Sequence, residues 1–207
     1  MFIHHTQSAR YHHTIAATGL IVVIMVLKLL QPAACSADAD HLPPEIRAKL
    51  LLTALAYNKS LPATTPAGIV IGAVAFYGDR RSKEKAAQSI TALGTFKDKK
   101  INGLSFKAVL MEYTENTAFE RAVQEQSVDV LIITAGPPDG MLEISRTAKA
   151  EKVLTIAYDN EHLTEYRLSM CIGLKNKRPK IFLNLSSAKA EHADFNAKFL
   201  RVVELVE

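Results

Sequence analysis

Three short loops carry the residue types that could recognise a small polar molecule. They are Tyr77-Gly78-Asp79-Arg80, Thr134-Ala135-Gly136-Pro137 and Tyr158-Asp159-Asn160, and each directly follows an apolar run of strand length. In an open parallel sheet, ligands bind beyond the carboxyl ends of the strands, where the strand order reverses. The candidate ligand-binding residues are therefore Tyr77, Gly78, Asp79, Arg80, Thr134, Gly136, Tyr158 and Asp159. Arg80 supplies a fork of donors for an anionic or zwitterionic group. The plainer reading of each loop is turn chemistry, in which Gly and Pro bend the chain and Asp or Asn bonds its own backbone.

Other chemistry is harder to assemble. His41, His162 and His192 are too dispersed for a zinc motif, and Gly78 opens no glycine-rich phosphate loop. Ser82, Ser89, Ser105 and Ser145 lack a nucleophile elbow, and no carboxylate pair is placed for acid–base work. No catalytic residue, metal ligand or cofactor site can be nominated, so a non-enzymatic role is expected. The run Lys175-Asn176-Lys177-Arg178-Pro179-Lys180 is the densest positive patch. It would touch anionic lipid or an acidic partner, or protect the edge of a sheet.

The elements that must position these loops are legible from hydrophobic patterning. The chain has 207 residues, 48% hydrophobic and 22% charged, with a formal net charge of +4. That excludes a disordered or fibrous chain, and the charges are too few and too scattered to indicate nucleic acid. Glu45 to Asn58 has the spacing of a helix with one buried face, and Pro44 suits its first turn. Ser60 to Pro66 reads as a linker. Gly68–Phe76, Leu104–Tyr113, Val128–Thr134 and Val153–Ala157 read as strands, three of them continuous apolar runs of the kind buried on both faces. Helices are expected from Ser82 as N-cap to Leu93, from Asn116 to Gln126 and from Asp139 to Ala150. Ser169–Leu174 and Lys180–Leu185 form an antiparallel hairpin at the sheet edge, and a closing helix runs from about His192 to Val206. The fold class is α/β: three layers, a mostly parallel sheet flanked by helices, with the hairpin and closing helix at the end. Asn184, a polar residue inside an apolar strand, is expected to tie the following turn or to reach a ligand.

The first residues have another purpose. Arg10 and four histidines precede an apolar run from Ile15 to Leu27, and Ala33, Ala34, Cys35, Ser36 and Ala37 follow it. A basic start, a short apolar stretch and a small-residue exit make a secretory signal peptide over residues 1–37, with the domain in 38–207. Cleavage falls before Asp38 or before Asp40. Retention as an anchor and lipidation at Cys35 are the alternatives. Once the leader is removed, Cys171 stands alone in an oxidising compartment, either buried or paired between chains.

The closing segment carries a resemblance. Its strand ends in the apolar-Asn-apolar triplet Leu183-Asn184-Leu185, passes through small residues, and enters a stretch bearing the pair Phe199-Leu200. That pattern resembles the C-terminal signature of YfiR-like proteins. The opening helix, Ile46-Arg47-Ala48-Lys49-Leu50-Leu51-Leu52, is similar to the family's charged-Ala-apolar beginning. The chain departs from the family at Tyr57-Asn58-Lys59-Ser60-Leu61-Pro62, where an aromatic-Pro step is often found, and its single mature cysteine rules out a disulfide within the chain. The resemblance implies a small exported periplasmic protein, a homodimer, that represses a membrane diguanylate cyclase by binding its periplasmic sensor region. A diguanylate cyclase or sensor kinase is the partner expected, with cyclic di-GMP signalling as the output. The rival expectation is a periplasmic small-solute binding protein using the cleft at the sheet's carboxyl edge.

Overall fold

The computed structural model describes residues 42–61 and 67–206. The leader at 1–37, Cys35 and most of the expected linker lie outside the described residues. Helix α1 (Pro44–Leu55) opens the chain with Pro44 in its first turn, where a missing N–H costs nothing. It is followed by β1 (Ile69–Phe76), α2 (Arg80–Gly94), β2 (Phe106–Tyr113), α3 (Asn116–Glu125), β3 (Val130–Ile133), α4 (Pro138–Glu151) and β4 (Leu154–Ala157). The remainder is α5 (Asn160–Glu165), β5 (Met170–Lys175), β6 (Arg178–Asn184), α6 (Leu185–Ala190), α7 (Ala197–Leu200) and β7 (Glu204–Val206).

The seven strands form one sheet in the order β2-β1-β3-β4-β5-β6-β7. Every residue of β1, β3 and β4 is buried, as continuous apolar runs require when helices cover both faces. The pairings are parallel from β2 through β5, and β5–β6 is antiparallel. Alternation along the strands divides the interior in two. Ile71, Ala73, Val130, Ile132 and Ile156 face α1, α2 and the C-terminal segment. Val74, Leu131 and Ile133 face Phe119 of α3, Met141 and Ile144 of α4, and Leu163 of α5. The expected three-layer α/β architecture is the observed one.

Local differences have local causes. Helix α2 begins at Arg80, not after Ser82: Asp79 is the N-cap and accepts from the Ser82 amide at 3.1 Å. The Ser82 hydroxyl instead accepts from the Phe76 amide at 2.6 Å, tying α2 to the end of β1. The hairpin turns on Asn176 and Lys177 alone, with φ of 51° and 61°. Two consecutive left-handed residues make the tight turn whose twist suits the flanking strands. The hairpin is not the sheet edge, because β7 pairs in parallel with β6.

The closing helix expected from His192 to Val206 is reduced to the single turn of α7. His192 sits at φ 65°, Asn196 caps α7 by accepting from the Phe199 amide at 3.0 Å, and the chain extends again at Glu204. The apolar residues that looked helical, Phe195 and Phe199, pack inward as a stacked pair with centroids 4.8 Å apart. They fasten the C-terminal segment to the end of α1. Tyr57 stacks on Phe199, the Lys59 amide donates to the Asp194 carbonyl at 2.8 Å, and Asn58 Oδ1 accepts from the Asp194 amide at 3.0 Å.

Candidate functional site

The chain runs from β1 outward to β2 and then returns past β1 to β3, so the strand order reverses beside β1. The loops after β1, β3 and β4 therefore do share the sheet's carboxyl edge. They do not share one face of it. Phe76 ends β1 on the α3–α4 side, in ring contact with Tyr113 at 5.1 Å. A Cβ on Gly136 would lie 2.1 Å from the Phe76 ring, and one on Gly140 would lie 2.6 Å from it. The two glycines exist to admit that ring, and the ring fills the crevice on this side. Gly136 thus packs against Phe76.

The β1 loop points outward. Gly78, at φ 76°, makes the tight turn in which the Asp79 amide donates to the Phe76 carbonyl. Asp79 is committed to capping α2. Arg80 pairs with Glu84 at 2.7 Å one helical turn on, in solvent, and Tyr77 is 75% exposed. Asp159 likewise caps α5, accepting from the Glu161 amide at 3.1 Å.

Two of the eight candidates converge on the α1–α2 face. Ile133 pairs with Ala157, so Thr134 and Tyr158 follow side by side as the strands end. Alternation turns both away from Phe76 and toward α1 and α2. Thr134 is only 3% exposed, and its hydroxyl has no hydrogen-bond partner. Over Tyr158 lies a residue that the sequence did not single out: the Arg47 guanidinium carbon sits 4.5 Å from the ring centroid. Arg47 Nε is also buried without a partner. Burial lowers the Arg47 pKa, against weaker opposing effects of Tyr158 and Cys171. Burial lowers Lys85 too, with Arg81 and Arg47 adding repulsion. The Tyr158 phenol is pushed up by burial, opposed by a hydrogen bond with Ser89 and the charge of Arg47. The face thus gathers two half-buried cations, a buried hydroxyl and a phenol, while both neighbouring aspartates are occupied as helix caps.

Three concavities lie at the opposite, amino end of the sheet. One of about 730 Å³ is bordered by Gly68, Ser105, Lys107, Ser127 and Asp129. A second of about 590 Å³ runs beside Lys59, Leu185 and Phe195, and a third of about 240 Å³ beside Asp129, Glu151 and His192. Asp129 accepts from the Val70 amide at 2.8 Å, and burial still pushes its carboxyl up to about 6. Glu191, also missed in the sequence, is 2% exposed. It accepts from the Thr155 amide at 2.8 Å, from the Thr155 hydroxyl at 2.7 Å and from the Ser169 hydroxyl. Burial raises it to about 7 despite those three donors. Both carboxyls knit sheet to loop. Asn184 does the same, accepting from the Ser187 amide at 3.0 Å and the Ser186 hydroxyl at 2.8 Å, so it ties the turn as expected.

Among the described residues no group of three or more His, Cys, Asp or Glu could hold a metal ion, and no helix is long and apolar enough to cross a membrane. Cys171 is a free, buried thiol pushed up to about 12 by burial, and therefore protonated rather than nucleophilic.

The doubly wound three-layer sheet, with Thr134 and Tyr158 side by side at its carboxyl edge, defines the chain as an α/β protein. The YfiR/HmsC-like family model matches residues 46–204, and the chain belongs to that family. No curated protein sequence matches it. Similar solved structures include the ligand-free, open form of CD0873, a substrate binding protein with adhesive properties from Clostridium difficile (16% identity, TM-score 0.51). A conserved domain protein from Vibrio cholerae is 11% identical with TM-score 0.55. The ABC domain in complex with L-Trp from Streptococcus pneumoniae is 12% identical with TM-score 0.54. This chain is covered over 72%, 80% and 81% of its length, and those chains over 58%, 60% and 63% of theirs. At such identities the likeness is one of fold.

Proposed function

We propose that this is an exported regulatory protein without catalytic turnover. It binds the periplasmic part of a membrane signalling protein, a diguanylate cyclase or sensor kinase, and represses it. The observation that carries this reading is the family match across residues 46–204, nearly all of the described chain. Residues 1–37 serve as the export leader, residues 38–207 form the domain, and the working unit is a homodimer. Exposed apolar side chains on α1 (Ile46) and near the C-terminus (Val202, Leu205) supply contact surface of the kind such a partner buries. The test is crosslinking in intact cells, capture of the exported chain and mass spectrometry, with cyclic di-GMP measured in cells with and without it. Enrichment of a membrane cyclase, with cyclic di-GMP rising when the chain is deleted, supports the reading. Capture of no membrane signalling protein, with cyclic di-GMP unchanged, refutes it.

A second reading is a periplasmic small-solute binding protein. It is supported by the convergence of Arg47, Thr134 and Tyr158 at the carboxyl edge. The solved structures that share the fold include a substrate binding protein and a complex with L-Trp.

A further inference from the structure

We infer that two copies of this chain join edge to edge through β2, antiparallel about a two-fold axis at Val109, so that the sheet runs on from one copy into the other. The inference rests on the homodimer reading and gives that dimer its surface.

The starting point is a strand with one side unpaired. β2 (Phe106–Tyr113) ends the sheet, and among the described residues it pairs with β1 alone. The Ile69 amide donates to the Ser105 carbonyl and the Tyr77 amide to the Tyr113 carbonyl, both at 2.9 Å. The odd-numbered residues of β2 therefore turn their main-chain groups toward β1. Phe106, Ala108, Leu110 and Glu112 turn theirs outward, a row of amides and carbonyls with no partner strand. Edges of this kind are normally blunted by shortness, proline or a bulge. β7, at the other end of the sheet, is only 3 residues long. β2 has 8 residues, no proline and an unbroken register with β1, and its Leu110 is 44% exposed.

The strand fits a second copy of itself. A two-fold axis normal to the sheet keeps each side chain on its own face, so even residues meet even residues. One register engages all the outward residues. In it Phe106 meets Glu112 of the partner subunit and Ala108 meets the partner's Leu110, each twice, for about eight hydrogen bonds. The exposed Leu110 is thereby laid against a small side chain. Charge fixes the direction. Lys97, Lys99, Lys100 and Lys107 lie before or at the amino end of β2, and Glu112 and Glu115 lie at or just past its carboxyl end. All are exposed, and none is in an ion pair among the described residues. Antiparallel pairing lays the acidic end of each strand along the basic end of the other, whereas parallel pairing sets like against like. Both the charge run and the match of Leu110 to Ala108 are self-complementary, as an interface between identical subunits requires.

The test reads the register. Val109 turns its main chain to β1, so across the axis it meets Val109 of the partner subunit in a non-hydrogen-bonded pair, with Cα atoms about 4.5 Å apart. That spacing admits a disulfide. Lys107 lies about 14 Å from the partner's Lys107, which does not. Val109→Cys and Lys107→Cys are each made in a Cys35→Ser background, which leaves the buried Cys171 as the only other thiol. The chain, purified as the cell produces it, is then oxidised. Val109→Cys is expected to form a covalent dimer at least about tenfold faster than Lys107→Cys. Sedimentation equilibrium of the wild type should show a dimer. Leu110→Pro removes an outward N–H that β1 does not use, and should weaken the dimer at least about tenfold with an unchanged circular dichroism spectrum. Equal linking at the two positions, or a dimer indifferent to Leu110→Pro, would overturn the inference and leave a homodimer built on another surface. A monomeric wild type would overturn both the inference and the homodimer.

Discussion

Replacing Glu191 by Gln should stabilise the protein in mildly alkaline solution and leave it nearly unchanged in acid. The carboxyl is buried among Thr155 and Ser169 and is held at about 7, against an ordinary value of 4.5. A carboxyl whose folded pKa is raised takes up protons on folding. Its contribution is full below about 4.5 and is lost as pH rises through about 7, an interval worth about 3 kcal/mol. Gln has the shape of the protonated acid and cannot ionise. Its amide oxygen can replace Oε2, which serves the Thr155 amide and the Ser169 hydroxyl. Its NH₂ group then faces the Thr155 hydroxyl, which already accepts from the Ser169 amide at 2.8 Å. One hydroxyl proton loses its acceptor, as one also does in wild type once the carboxyl carries its own proton. Glu191→Gln should therefore match wild type to within about 1 kcal/mol at about pH 5, and be more stable by about 3 kcal/mol at about pH 8. Urea unfolding followed by circular dichroism at both pH values gives the two differences. Asp129, also raised, titrates identically in both proteins and cancels. A difference that does not vary with pH would refute the reasoning.

Two further perturbations probe other parts of the structure. Gly136→Ala places a Cβ against the Phe76 ring and should cost about 1–3 kcal/mol in urea unfolding; an unchanged midpoint would mean that the ring does not fill the crevice. Cys171 should resist a thiol-specific reagent in the native protein and react only at the rate of unfolding. Prompt stoichiometric labelling would show that the thiol is neither buried nor held near 12.

The sheet was legible in the sequence because its chemistry is local. A strand covered on both faces must be apolar at nearly every position; β1 and β3 are so throughout, and β4 is but for Thr155. Asn184 was legible because a polar residue in such a run needs a partner, which the next turn supplies. The C-terminal segment misled because Phe195 and Phe199 have helical spacing, yet their partner is Tyr57, far back in the chain, and β7 is drawn out by pairing with β6. The site was only half legible for the same reason. Thr134 and Tyr158 sit in loops that topology alone nominates. Arg47 looks like one charge on the solvated side of a helix until the fold lays it over Tyr158. Glu191 lies in a stretch of small and charged residues that reads as surface, and only the arrival of Thr155 and Ser169 makes it interior.

The fastening between the end of α1 and the C-terminal segment orders events during synthesis. Asn58 and Asp194 meet across 136 positions, so nearly the whole domain must exist before α1 gains its last partners. A chain that crosses a membrane amino end first presents α1 on the far side with Tyr57 and Asn58 still unmatched. Local pairings such as β1 with β2 and β5 with β6 close short loops and form early, whereas this joint closes the longest loop and forms late. A chain stalled before Asp194 would thus hold an open domain on the translocation machinery, and a few final residues would decide when it lets go.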